Sequence, residues 1–394
     1  MLTQTQETLI AQTAPVVAEH LNTITAHFYP LMFERYPEVK PLFNQAHQAN
    51  GGQPRALASS VLAYVQLRQD PARAREVLEG VVNKHVSLNI RPDQYPIVGE
   101  CLMAAIGDVL GDAVTPEIAD AWGALYQELA DLLIELEGQR YQAFAETPGG
   151  WRGERRFRIA STRQESAVIR SFVLEPEDGQ PVADFQPGQF IGVRLMIGDT
   201  PVYRHYSLSG SPNGHSYRIS IKRETDGLAS GHFHECLGVG DVIELLPPAG
   251  DLTLPAAPDS PIMLLSGGVG QTPMLSLLRQ ALQEGRRVTY LHAAQDEAHH
   301  AFREEVNACL SEHPDQLTVV TLHENAASNP PSAPAGRVTQ ALLAQYLPDD
   351  TTHCYFVGPQ GFMEAVNGYL KALGVPEGQR HFEHFGPARE LAAA

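Results

Sequence analysis

Cysteine is scarce in this 394-residue chain: Cys101, Cys236, Cys309 and Cys354 are its four, far apart and without a CxxC pair. That spacing excludes a disulfide framework, a zinc ribbon and a Cys-ligated iron–sulfur cluster. With no CxxCH, covalently attached c-type haem is excluded as well. Positive charge is also in short supply. Lys and Arg number 28 against 46 Asp and Glu, a formal net charge of −18, so the average field repels nucleic acid and anionic membrane surfaces. An anionic ligand needs a local cationic pocket. No apolar run approaches the roughly 18 residues a membrane helix requires, and the opening "MLTQTQETLIAQTAPVV" lacks the Lys or Arg of a secretory leader. The expectation is a cytoplasmic monomer with no membrane span, no nucleic-acid partner and no obligatory protein partner.

What is present falls into three grammars, which predict a multidomain protein. Residues 1–146 read as an all-α domain: Val17, Leu21, Ile24, Phe28 and Leu31 step by four and three. Further helical patterns cover 53–67, 72–88, 93–110 and 116–143. A Pro/Gly-rich linker over 147–154 follows. Over 155–257 the period falls to about two, and six short strands bounded by Gly, Pro, Asn and Asp predict an antiparallel β-barrel. From 258 to 394, buried strands such as "PIMLLS" alternate with helices such as "MLSLLRQALQEG", the pattern of an α/β parallel sheet.

Individual stretches leave their chemistry open. Leu78, Val81, Val82 and His85 share one helix face, so His85 stands where an apolar residue is expected. A hydrogen-bonded core histidine is the commoner reading, and a ligand to something held against that face is the other. "LLSGGVGQTPM" places a glycine loop between a strand and a helix, where backbone N–H groups can bind phosphate. It is not GxGxxG, and no acidic residue closes the second strand, so it matches a standard Rossmann site poorly. In "RHYSL", Arg204 offers a planar fork, Tyr206 a flat face and Ser207 a hydroxyl. Strand alternation turns Ser207 away from Arg204 and Tyr206 unless a bulge intervenes. The histidines of "GHFHE", read as sharing a strand face, and of "HH" at 299–300 are expected to be surface or structural.

In order, RxYS, "IKRE", "PAGDLTL", "GGVGQTPM", "VGPQGFM" and "HFEHFGP" resemble the ferredoxin–NADP reductase family. The resemblance implies an FAD-binding barrel followed by an NAD(P)-binding domain. Arg204, Tyr206 and Ser207 match the flavin motif, which encloses His205, and Phe190 of "PGQF" lies beside them. The nicotinamide nucleotide would lie over Gly268, Val269, Gly270, Gln271, Thr272 and Pro273. Glu383, His384, Phe385, Gly386 and Pro387 match the segment that closes over the flavin. Two positions depart from the pattern: Val357 and His384 stand where relatives carry Cys. Hydride transfer should survive both, because that chemistry resides in the cofactor.

Such a module must deliver its electrons somewhere. The N-terminal segment resembles a globin, with Phe43 in "KPLFN", Gln53 in "NGGQPRAL" and the inward His85. A globin and a reductase in this order resemble the flavohaemoglobins. That resemblance implies a non-covalent haem b with His85 as the iron ligand and Tyr29 as the distal hydroxyl. It places Gln53 and Leu57 on the distal helix and Phe43 against the porphyrin. Tyr95 and Glu137 would hydrogen-bond around the ligand histidine, with Glu137 chosen over Glu135 by counting fifteen residues from Trp122. Lys84 would meet a haem propionate or the reductase domain. Pro30, directly after Tyr29, departs from an ordinary helix interior and leaves the aim of that hydroxyl open. The implied activity is nitric oxide dioxygenation: NAD(P)H reduces FAD, FAD reduces the haem, and the haem with O2 oxidises NO to nitrate. A haem-dependent NAD(P)H oxidase or peroxide-handling reductase is one alternative, and an O2 or NO sensor is another.

Overall fold

The computed structural model describes residues 2–43, 61–255, 259–325 and 336–385. The helical part opens with α1 (Gln4–Glu19), started by a capping box in which Thr3 and Gln6 satisfy each other's exposed backbone N–H groups. α2 (Leu21–Arg35) runs through Pro30 without ending. A helical stretch over 61–67 follows, then α3 (Pro71–Val86), α4 (Tyr95–Leu110) and α5 (Pro116–Glu146). The apolar stripes of these helices meet in one core, where Phe28, Met32, Leu78, Val82, Trp122 and Leu125 are buried. Burying side chains of this size stabilises by about 1.5–3 kcal/mol each.

The junction after α5 is a fitted joint. Gly149 has φ +76, and a Cβ there would lie 2.4 Å from the Val182 carbonyl carbon; one at Gly150 would lie 1.9 Å from Phe144 O. Trp151 then packs edge-on against Phe144 at 5.4 Å and tilted against Phe157 at 5.7 Å, tying the last helix to the first strand.

The barrel strands are β1 (Arg155–Gln164), β2 (Ile169–Pro176), β3 (Phe190–Ile197), β4 (Thr200–Ser207), β5 (Tyr217–Lys222) and β6 (Val242–Ala249). They pair antiparallel in the order β4-β3-β6-β1-β2-β5. β4 and β5 therefore lie at the two ends, joined by the bridge Leu208↔Ile219, which leaves a seam along β4. "GHFHE" is not a strand. It lies in α6 (Leu228–Glu235), whose buried Ala229, Ser230 and Phe233 recur at helical spacing. His232 and His234 accordingly do not share a strand face; His234 Nε2 lies 2.9 Å from Ile221 O.

The last sheet is parallel: β11 (Arg380–Phe382), β10 (His353–Val357), β7 (Ile262–Gly267), β8 (Val288–Ala294) and β9 (Leu317–His323), in that spatial order. α7 (Gln271–Gln283) and α8 (Arg303–Glu312) cover one face, and α9 (Gln340–Tyr346) and α10 (Gln360–Ala372) the other. A sheet covered on both faces explains the unbroken apolar strands.

Histidines gather on this sheet. His292 and His300 lie 4.9 Å apart between ring centroids, and His300 and His323 5.5 Å. His353 stacks on His381 at 5.2 Å. Burial, and secondarily the neighbouring histidines, hold His292 well below the ordinary range and push His300 and His381 down to about 4. A depressed histidine contributes stability above its unfolded value, about 6.5, and that contribution is lost as pH falls toward the folded value. The melting temperature of this domain is therefore expected to drop between pH 6.5 and 4, and to drop less in His300→Gln. Thermal scans across that range check this, and equal drops in the two proteins would contradict it.

Candidate functional site

α3 is capped by Asp70, which accepts from Arg73 N, and carries Pro71 in its first turn. Its inward residues Ala74, Leu78 and Val82 are buried, and His85 continues that stripe one turn later. Nδ1 of His85 lies 2.7 Å from Glu137 Oε1 and 3.0 Å from the Tyr95 hydroxyl, which itself donates to the same Oε1 at 2.5 Å. Tyr95 opens α4 and Glu137 belongs to α5, so three helices meet here. Glu137 is 2% exposed, and a carboxylate buried that deeply needs the two donors it receives. The alternative residue, Glu135, lies outside this group and pairs with Arg75.

With a carboxylate as acceptor, Nδ1 carries the proton and Nε2 is the nitrogen left for a metal. Burial, reinforced by the charge of Glu137, holds the Tyr95 hydroxyl far above its ordinary range, so it remains a donor. Around this core, Tyr126 donates to Tyr95 O at 2.8 Å and Tyr141 donates to Ile90 O at 3.1 Å. On α2, Tyr29 is buried, with its ring 5.7 Å from Phe43 and 4.8 Å from Phe28. Burial pushes the pKa of its hydroxyl well above the usual range, so it too remains a donor. Gln53 and Leu57 lie outside the described residues.

On β4 the pairing with β3 runs without a bulge from Ile197↔Thr200 to Phe190↔Ser207. Arg204 and Tyr206 therefore share one face, and His205 and Ser207 the other. The Tyr206 ring meets Phe233 of α6 edge-on at 5.5 Å. Ser207 Oγ is buried with no hydrogen-bond partner among the described residues. Arg204, half-buried, has no carboxylate partner among them either. A buried hydroxyl without a partner and a guanidinium without a carboxylate, its Nη1 donating to Tyr203 O at 2.7 Å, suit a ligand with an anionic group. Those residues fit a flavin dinucleotide. One contributor escaped the sequence reading: Gly227 to Ser230 open α6, the helix whose Phe233 packs on Tyr206, and a helix N-terminus attracts anions. Its signal was a Gly-x-x-Ser after the charged "KRETD".

Between β7 and α7, Gly268 takes φ +54 and Gly270 abuts Val357 O, which would lie 2.1 Å from an added Cβ. Val269 is partly buried, Gln271, Thr272 and Pro273 are buried, and Thr272 Oγ1 donates to Val269 O at 3.0 Å. The helix start thus presents backbone N–H groups on a clamped loop. Beyond β11, burial, then the charge of Asp251, pushes Glu383 up to about 8, opposed by Lys84. His384 meets Phe382 edge-on at 5.5 Å, and Phe385 is exposed. Gly386 and Pro387 lie outside the described residues. Lys84 faces the reductase side: its Nζ is 3.0 Å from His205 Nδ1, and burial, opposed by the charge of Glu383, pushes it down to about 8. Phe190 packs edge-on against the same imidazole at 5.0 Å.

Three family models match the chain in this order: Globin over residues 26–133, Oxidoreductase FAD-binding domain over 156–254 and Oxidoreductase NAD-binding domain over 264–368. The flavohemoprotein of Pseudomonas putida is 47% identical over 99% of this chain and 100% of its own length. That of Pseudomonas aeruginosa is 46% identical over the full length of both. The chain belongs to the flavohemoprotein family. The structure of a flavohemoglobin from Malassezia yamatoensis, with bound FAD and heme, covers 98% of this flavohemoprotein and 100% of its own chain at TM-score 0.86 and 28% identity. The FAD/NAD-binding domain of a nitric oxide dioxygenase from Vibrio cholerae covers 59% of this chain and 99% of its own, at TM-score 0.56 and 36% identity. Among the described residues, no helix is long and apolar enough to cross a membrane.

Proposed function

We propose that this flavohemoprotein is an NAD(P)H-dependent nitric oxide dioxygenase holding haem b and FAD, with O2 and NO as its small-molecule substrates and nitrate as product. The observation that carries the reading is the His85–Glu137–Tyr95 group, with Glu137 buried, in the same chain as a flavin and nucleotide module. When bound, haem and FAD supply the one-electron and oxygen chemistry and NAD(P)H supplies the hydride.

The chain's own residues position and polarise. His85 would offer Nε2 to the iron while its Nδ1–H donates to the Glu137 carboxylate, which would give the imidazole anionic character and strengthen its electron donation. Tyr95 shares the load on Oε1 and so fixes how far that proton moves. Tyr29, held among Phe28 and Phe43, would supply a hydroxyl donor toward a bound ligand. Arg204 and the α6 N-terminus would hold the flavin phosphates, Ser207 its ring edge, and Tyr206 and Phe190 its flat faces. The β7–α7 loop would hold the nicotinamide nucleotide, and Glu383 with its neighbours would cover the flavin.

Electron balance makes the test quantitative. Each NO and O2 joined as nitrate consumes one electron, so each NAD(P)H oxidised supports two nitrate ions. Nitrate and NAD(P)H measured together in the loaded protein check this. Peroxide in place of nitrate would identify an oxidase, and NO binding without turnover a sensor.

Glu137→Gln isolates the role of the carboxylate. An amide still accepts from Nδ1 but carries no charge, so haem is expected to stay bound while turnover falls about tenfold. The haem spectrum and steady-state NO consumption read the two effects separately. Wild-type turnover in this variant would remove the charge from the account.

A further inference from the structure

The variable position of the RxYS motif makes contacts that flavin binding does not explain. His205 lies on the face of β4 opposite Arg204 and Tyr206, and it reaches across to the last turn of the helix that carries His85. Its Nε2 is 2.8 Å from Ser87 Oγ and 3.3 Å from Ser87 O, and its Nδ1 is 3.0 Å from Lys84 Nζ. Ser87 Oγ in turn donates to Lys84 O at 2.7 Å. The donors close consistently. The Lys84 ammonium has only protons to give, so Nδ1 accepts, Nε2–H donates to Ser87, and the Ser87 hydroxyl donates back to the helix carbonyl. Ser87 is fully buried and is the C-cap of α3, where helix carbonyls lack intrahelical donors.

A second, independent observation lies directly opposite. Gly192 is the β3 partner of His205, and a Cβ there would fall 2.5 Å from Ser87 O and 2.9 Å from Leu246 Cδ1. The end of α3 is thus seated on the β3–β4 ribbon, with a gap on one strand and a hydrogen-bonding ring on the other. The two residues gripped, Lys84 and Ser87, flank His85 at −1 and +2.

We propose that His205 is a positioning residue: it pins the haem-ligand turn of α3 to the flavin-binding strand, and so fixes the separation that electrons cross between the two cofactors. His205 itself is neither oxidised nor reduced. This rests on the electron path proposed above, although the pinning contact can be read without it.

The test compares full-length, haem- and FAD-loaded wild type with His205→Ala and His205→Gln. Gln retains one donor and one acceptor near the positions of the two ring nitrogens. Hydrogen exchange over residues 81–91 reports the pin, and anaerobic stopped-flow reports flavin reduction and haem reduction separately. In His205→Ala, exchange at this turn is expected to accelerate and haem reduction to slow severalfold, because electron transfer weakens as the separation between the two cofactors grows. Flavin reduction should slow far less, and His205→Gln should recover most of both signals. Equal slowing of both steps, unchanged exchange in Ala, or no recovery in Gln would overturn the proposal. If wild type never passes electrons to haem, the proposed activity falls, and the exchange result still decides whether His205 pins the helix.

Discussion

Replacing His85 with Ala is expected to abolish stable haem binding while the flavin half of the molecule continues to accept hydride. The imidazole is the nitrogen donor that the Tyr95–Glu137 pair supports, at 3.0 and 2.7 Å from its Nδ1. An alanine methyl offers no lone pair. Removing the ring also strips Glu137 Oε1 of one of its two donors, and a buried acceptor left short costs about 1–3 kcal/mol. The helical core, built from Phe28, Leu78, Trp122 and their neighbours, does not depend on that ring, so the domain should still fold. The purified variant should lack the Soret band at wild-type FAD content and reduce its flavin with NAD(P)H near the wild-type rate. A wild-type Soret band would refute His85 as the ligand.

The converse loss is expected at Gly270→Ala. This glycine has an ordinary helical φ of −57, so what matters there is space. The added methyl would lie 2.1 Å from Val357 O, 2.4 Å from Val357 C and 2.8 Å from Gly358 N, all of them backbone atoms on the adjacent strand end. Backbone of a central parallel strand cannot yield by an ångström, so the loop must leave its place at the start of α7. Flavin reduction by NAD(P)H is expected to fall by about a hundredfold, the order that misplacing a bound reactant costs, with haem and FAD retained. Gly268→Ala is the contrast. Gly268 has φ +54 and nothing within 4 Å of an added Cβ, so the change strains only the backbone, by about 1 kcal/mol. Stopped-flow rates for the two variants should differ widely, and equal rates would show that the Val357 contact does not shape the nucleotide site.

The order of folds was legible because each has its own period: 3.6 in the helices, two in the barrel, and strand–helix alternation at the end. The histidine face of α3 was legible too, yet its meaning was not, since periodicity cannot tell a core histidine from a ligand. Glu137 lies 52 residues from His85, and only the crossing of α3, α4 and α5 brings it within 2.7 Å. The strand expectation for "GHFHE" has a local cause: polar His232 and His234 flanking apolar Phe233 mimic strand alternation, whereas Gly227 at the N-cap and Phe233 buried against Tyr206 place the segment in a helix. Pro30 falls inside α2, which passes through it. The contact of His205 with Ser87 joins positions 118 apart; no local pattern announces a meeting between domains.

Electrons are expected to run from NAD(P)H through the flavin to haem within one chain, with NO and O2 leaving as nitrate. Anaerobic stopped-flow absorbance of the loaded protein tests it most directly, with O2 and NO admitted after NAD(P)H. The flavin band should bleach first and the Soret band should shift after it; on admission of the gases the haem should reoxidise as nitrate appears. A flavin that is reduced while the haem stays ferric, or NO consumed without nitrate, would contradict it.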